Sequence, residues 1–290
     1  MSEELFKKRE IKEEKRENHI YISISQVLSY LSAPFDQQGV AKKTYENNFN
    51  NPESQYYQKT IEEIIEMWSA KGEVSMQYGK NLDEYIGCVL EGDESDVELY
   101  NLDHDTENDY RLSHHIRAFD EFYKVLKSSG YDFVTREQDV AYESKNKIKI
   151  GDKEYTFTVI GRFDALFYNK ETGRYLVIDW KSSGSIDTMP KKYTGNLLGP
   201  AKIYKDLNWY TYTTQLYFYK TALLESNMLK DTTDYKDVDV RIVNLPDHDF
   251  EDGNPYCSYS PAYHYNKDFL DSVFEFAVKK KVLLDSKKTK

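Results

Sequence analysis

Asp164, Asp179 and Lys181 are the residues whose types and spacing point most directly to chemistry. Fourteen residues separate Gly161-Arg162-Phe163-Asp164 from Asp179-Trp180-Lys181. The segment EYTFTVIGRFDALFY (154–168) alternates Tyr155, Phe157 and Val159, breaks at Gly161 and resumes at Phe163. NKETG (169–173) is a turn, and RYLVIDWK (174–181) predicts a second strand. Side chains alternate along a strand, so Asp179 and Lys181 share a face, flanked by apolar Leu176, Val177, Ile178 and Trp180. Asp164 falls on the neighbouring strand. Two carboxylates meeting at a sheet end suit a hard divalent cation. Such a cation binds a phosphate oxygen, generates hydroxide and neutralises the leaving group of a phosphodiester. A nearby Lys orients the water and stabilises developing negative charge. A cross-strand ion pair is the other reading of the same three residues.

The elements that must position them follow from periodicity. Residues 3–18 mix charges of both signs at helical spacing and read as a solvated helix. YISISQVLSYLSAPFD (21–36) reads as a strand end or cap entering a short helix that stops at Pro34. Helices are expected at 53–69, closed by Gly72, then at 76–90 and at about 110–128. Residues 131–143 look extended, 206–225 form a strongly aromatic helix, 237–245 a further strand and 266–283 a last amphipathic helix. The expected class is α/β. A mainly helical N-terminal portion (1–130, including an acidic loop at 91–109) packs on a core at 131–290 as one continuous unit.

GRFD…VIDWKSS…TTQLYFYK resembles the core of the PD-(D/E)XK nuclease superfamily, and within it the RecB-like and phage-type exonucleases. YISISQVLSYLSAPFD resembles the opening of phage members, and Trp68 with GKNLDEYI (79–86) resembles their W…G-T-x-x-H-x-x-I helix, so the resemblance spans about residues 20–225. It implies a restriction-endonuclease-like core, a mixed central sheet flanked by helices. It implies Asp164, Asp179 and the Trp180 backbone carbonyl as ligands of magnesium or manganese, and Lys181 as the catalytic lysine. Gln215 and Tyr219, one helical turn apart, match the family's Q-x-x-x-Y and would organise the site or contact DNA. Glu137 matches a Glu on the preceding strand and reads equally as a surface residue. Where RecB-like members carry a metal-binding His this chain has Asp83, which the resemblance makes a ligand of magnesium or manganese; neighbouring Glu84 in that role, or Asp83 as a surface helix residue, are the alternatives. The two Cys, Cys88 and Cys257, exclude the branch with a four-Cys iron–sulfur cluster.

The chain has 290 residues and a net charge of −11. Residues 83–109 hold eleven acids and no Lys or Arg, so the remainder is balanced and a local DNA groove is compatible with the total. Residues 170–205 hold seven Lys or Arg against three acids. Lys191 and Lys192 follow the Asp-x-Lys strand where phosphates would be held, or belong to a solvated loop. Tyr212 belongs to an aromatic run that is core unless a ring faces the groove and stacks on bases. His114-His115 and Asp247-His248-Asp249 read as packing and turn residues. No phosphate-binding G-x-x-x-x-G-K-[ST] and no G-x-S-x-G elbow occurs. The N-terminus has no secretory h-region and no stretch suits a bilayer, which predicts a cytoplasmic protein (host cytoplasm, if phage-encoded). The expected activity is a metal-dependent DNA nuclease, an exonuclease acting in replication, recombination or repair, with DNA and a recombination or replication protein as partners. A catalytically silent protein that binds DNA ends or a partner, and a structure-specific endonuclease, are the alternatives.

Overall fold

Alternating apolar residues build a mixed sheet of seven strands with helices against it. The computed structural model describes residues 5–8, 11, 13, 16–92, 107–192, 194–230, 232 and 234–288. Its elements are β1 (His19–Ser23), α1 (Ile24–Leu31), α2 (Gln37–Asn48), α3 (Ile61–Glu91), α4 (Glu107–Ser128), β2 (Tyr131–Glu143), β3 (Ile148–Ile150), β4 (Lys153–Asn169), β5 (Arg174–Lys181), α5 (Asn208–Glu225), β6 (Val238–Asn244), β7 (Cys257–Tyr259) and α6 (Lys267–Lys288). The chain divides into two compact units, Met1–Ser32 with Leu102–Lys290, and Ala33–Asn101.

In the larger unit β4 organises the sheet. β2 lies antiparallel along one edge of it, from Tyr131↔Asn169 to Glu143↔Thr158. The other edge is shared. β5 pairs antiparallel with residues 165–169, and β1 pairs parallel with residues 156–160. Among the described residues no strand pairs with residues 161–164 on that edge, which leaves a notch. β6 continues parallel to β5, and β7 antiparallel to β6. α5, α1 and α6 cover one face with Leu216, Phe218, Val27, Leu31, Val273 and Phe274, all fully buried. On the other face Phe119 and Phe122 of α4 meet the Trp180 ring edge-on, each at 5.7 Å.

Local chemistry explains the joints. β1 turns into α1 through a capping box: Ser23 Oγ accepts the Gln26 N–H at 3.1 Å, and the Gln26 side chain reaches back to the Ser23 N–H. Gly161 lets two helices approach β4. A Cβ there would stand 2.6 Å from Phe218 Cε1 and 2.8 Å from Ile24 Cγ2. In the smaller unit Asp36 caps α2, and Thr60 and Glu63 form a capping box on α3.

The structure departs from the sequence expectations at definable points. α3 runs unbroken through Gly72, whose surroundings are open, and ends at Gly92 with φ 81° in the left-handed region. A single Gly inside a helix costs about 1 kcal/mol, which a long amphipathic helix absorbs. β4 runs unbroken through Gly161, because Val140 of β2 pairs with it. Within the expected N-terminal portion 1–130, β1 joins the sheet and α4 packs on its face, both in the same compact unit as residues 131–290. Of the expected 3–18 helix, residues 3, 4, 9, 10, 12, 14 and 15 lie outside the described residues, as do residues 93–106 of the acidic segment; Phe6 is buried and bridges Leu229, and residues 7, 8, 11, 13 and 16–18 are not helical. No described helix is long and apolar enough to cross a membrane.

Gly161→Ala is expected to lower stability by about 1–3 kcal/mol in urea unfolding, since Phe218 is fully buried and cannot yield. Lys220 of α5 is 7% exposed and lies 5.4 and 5.3 Å from the ring centroids of Tyr235 and Tyr265. Burial pushes its pKa down from 10.5 to about 8. Between those values the unfolded chain holds a proton that the folded chain has released, so stability rises with pH across that window. Lys220→Met is expected to raise the melting temperature near pH 7 and to flatten that rise in thermal melts across the window.

Candidate active site

The alternation of β4 slips where Asp164 stands. Phe163 packs on Tyr219 of α5 at 6.4 Å, whereas Phe167, four residues on, packs on Tyr123 of α4. An even spacing in a regular strand would put both on one face. The irregularity has a counterpart on β2. Glu137, opposite Asp164 between the pairs Arg136↔Ala165 and Gln138↔Phe163, has φ 47°. Such a backbone is strained for a residue with a side chain and persists where its surroundings hold it. The slip turns Asp164 to the face of β5 that carries Asp179 and Lys181.

There Asp164 does the work of a missing rung. The β4–β5 ladder stops at Ala165↔Ile178, and Asp164 Oδ2 accepts the next free backbone donor, Trp180 N–H, at 2.7 Å. The Lys181 carbonyl is taken by Leu245 N–H at 2.8 Å on the β6 side. Backbone groups alternate in direction along a strand, so the Trp180 carbonyl faces the notch beside Asp164.

Asp179 is 1% exposed. Lys181 Nζ lies 2.6 Å from its Oδ2 as an ion pair, at an angle that makes no aligned hydrogen bond, and stands 4.5 Å over the Tyr212 ring. Burial alone would lower the Lys181 pKa, but the Asp179 and Asp164 carboxylates outweigh it and push it up to about 12. Burial, and then the same two carboxylates, push the Tyr219 phenol up. Tyr219 accepts a hydrogen bond from Gln215 Nε2 at 2.7 Å, which leaves its own proton to donate. Burial likewise raises Tyr212. The site therefore presents two carboxylates, one ammonium and neutral phenols.

Asp164, Asp179, Lys181, Tyr212, Gln215 and Tyr219 are thus brought to one sheet face and its notch, which the Trp180 backbone also lines while its ring packs on the other face. Glu137 is exposed and turns its carboxylate to Arg136 at 3.4 Å. Asp83 is half-buried and Glu84 exposed on α3, in the smaller unit. Lys191 and Lys192 are exposed in the loop after β5, with Lys191 paired to Asp187 at 3.2 Å. His115 Nδ1 meets the Leu245 carbonyl at 2.6 Å, and burial lowers its pKa. Asp247 pairs with Arg111 and Asp249 with Arg117, so this second cluster ties α4 to the end of β6. Among the described residues no three His, Cys, Asp or Glu side chains form a ready metal cage. Magnesium needs less. It keeps several waters and takes one or two carboxylates besides substrate oxygens. Asp164, the Trp180 carbonyl and the buried Asp179, whose Oδ2 meets only the Lys181 ammonium, fit such a hard cation.

Sequence reasoning missed two features. One is Tyr212 seated against Lys181 rather than simply in an aromatic run. The other is Asn244 of β6, the register partner of Lys181. A polar residue following Ile242 and Val243 at the end of the strand is a visible signal, but its neighbour depends on strand pairing.

No family model matches the chain, and no curated protein matches it. Among solved structures, the crystal structure of SSO0001 aligns over 92% of this chain and 78% of that one, at 13% identity and a TM-score of 0.34. A likeness that loose carries no argument about fold or function.

Removing one member of a buried ion pair leaves the other charge uncompensated, at about 3–5 kcal/mol. Lys181→Met is expected to destabilise by that order in urea unfolding, and Lys181→Met with Asp179→Asn by much less than the two single substitutions combined. Additive losses would mean that the pair is not coupled.

Proposed function

We propose that the chain is a metal-dependent nuclease of the PD-(D/E)XK kind that hydrolyses phosphodiester bonds in DNA, acting as an exonuclease in replication, recombination or repair. The observation that carries the reading is the meeting of Asp164, Asp179 and Lys181 at a notch in the sheet, with Asp164 on the Trp180 N–H and Lys181 2.6 Å from Asp179. Asp164, Asp179 and the Trp180 carbonyl would hold magnesium or manganese. When bound, such an ion polarises a phosphoryl oxygen and lowers the pKa of water.

The protein's own groups then have distinct tasks. Lys181, which the Asp179 and Asp164 carboxylates hold protonated in the protein alone, is the cation that orients water and stabilises developing charge. Asp179 holds Lys181 in place. Tyr212 closes the other side of the ammonium and shields it from solvent. Gln215 fixes the Tyr219 hydroxyl, whose proton points a donor into the site.

The test is incubation of the protein and its Lys181→Ala variant with end-labelled linear DNA and closed circular DNA, with magnesium, with manganese and with EDTA. Metal-dependent loss of linear DNA by the wild type is expected, with a decrease of about 10²-fold or more in the variant. Survival of the circle marks an exonuclease, and its cleavage an endonuclease. If the wild type degrades nothing with either metal, the reading fails, and a protein that binds DNA ends without cutting takes its place.

A further inference from the structure

Two buried side-chain atoms among the described residues lack a hydrogen-bond partner, and both flank Lys181: Asp179 Oδ2 on its own strand and Asn244 Nδ2 on the next. Asn244 closes β6 and pairs with Lys181 in the parallel register, as Ile242 pairs with Asp179. Register partners show their side chains on the same face, with the strands about 5 Å apart. The Asn244 carboxamide therefore lies beside the Lys181 stem on the face where the site is built. It is fully buried. Its orientation is set by Ser183, whose Oγ–H donates to Asn244 Oδ1 at 3.4 Å and also lies 3.5 Å from the Ser185 carbonyl. Both contacts are at the long limit of a hydrogen bond. Ser183, Gly184 and Ser185 are exposed, so the seal over Asn244 on this side is one weakly held turn.

A buried amide with no acceptor is costly and calls for a reason. Hydrophobic residues surround this end of β6, Val243 and Leu245 being fully buried, and a Leu at position 244 would fill the space without an orphan donor. What distinguishes the position is its register partner, the Lys181 ammonium. An ammonium and a carboxamide NH2 side by side make a site for an oxygen anion.

We propose that Asn244 is a substrate-binding residue: its Nδ2 donates to a phosphate oxygen of the nucleic-acid backbone next to Lys181 once Ser183 gives way. This rests on the nuclease reading above and adds to it a residue that senses the phosphate and a turn that covers that residue.

The test uses two variants and three readouts. Asn244→Leu removes the donor and the orphan together. Asn244→Asp keeps the shape and reverses the preference for an anion. For each, KM and kcat on linear DNA with magnesium are measured, together with the affinity for a fluorescent oligonucleotide in EDTA and the melting temperature. A hydrogen bond to a charged group corresponds to about 10- to 100-fold in binding. Asn244→Leu is expected to weaken oligonucleotide binding and raise KM by that factor while its melting temperature stays level or rises. A merely structural Asn would lower the melting temperature and leave KM unchanged. If the wild type cuts DNA and Asn244→Leu keeps its KM and affinity, the proposal is overturned and the nuclease reading stands. If the wild type neither cuts nor binds DNA, the nuclease reading fails and takes this proposal with it. Asn244→Asp separates loss of a donor from loss of packing: it is expected to bind the oligonucleotide more weakly than Asn244→Leu.

Discussion

The shared edge of β4 is the constraint on which the rest of the site depends. A strand of 17 residues pairs with β2 along one edge over residues 158–169 and divides the other edge between β1 and β5. The interval leaves backbone groups without a ladder, and buried backbone groups must be satisfied. Asp164 supplies the answer by accepting the Trp180 N–H with a side chain. That bond aims the carboxylate, places it near Asp179, and leaves the Trp180 carbonyl facing the same opening. Gly161 is needed at the start of the interval, where Phe218 and Ile24 come too close for any side chain. The slip of alternation opposite Glu137 then sets the face on which Asp164 arrives.

The charges within this opening do not cancel. Two carboxylates face one ammonium, and the phenols around them stay neutral. The chain as a whole carries −11. A polyanion gains nothing here from the protein's overall field, so a cation at the carboxylates and local donors must supply the attraction. The same excess holds Lys181 protonated.

Much of the site's frame was legible in the sequence because it rests on period-two patterns that are close in the chain. β5 was read at 174–181 and occupies those residues, and α5 differs by two residues at its start. Asp179 and Lys181 share a face for the simplest reason, their spacing. Gln215 and Tyr219 meet because they are one helical turn apart. What was not legible depends on partners distant in sequence. Gly161 was read as a break because Gly weakens a strand, yet β2 holds the strand continuous there. Gly72 was read as a stop, yet nothing nearby ends the helix. The seat of Tyr212 on Lys181 and the place of Asn244 needed helix docking and a parallel register. Glu137 as a ligand depends on a side-chain direction that its left-handed backbone alters.

The two walls of the notch come from very different distances along the chain. β2, β4 and β5 follow one another and can pair as a meander with short loops. β1 must cross 137 positions to set His19 beside Thr156. Closing so long a loop is entropically unfavourable, and contacts of that span form slowly. Asp164, Asp179 and Lys181 therefore gather on a meander of local origin, while the opening gains its remaining wall only when the first strand made returns to the middle of the sheet. Order of assembly thus separates the chemical groups from the enclosure around them.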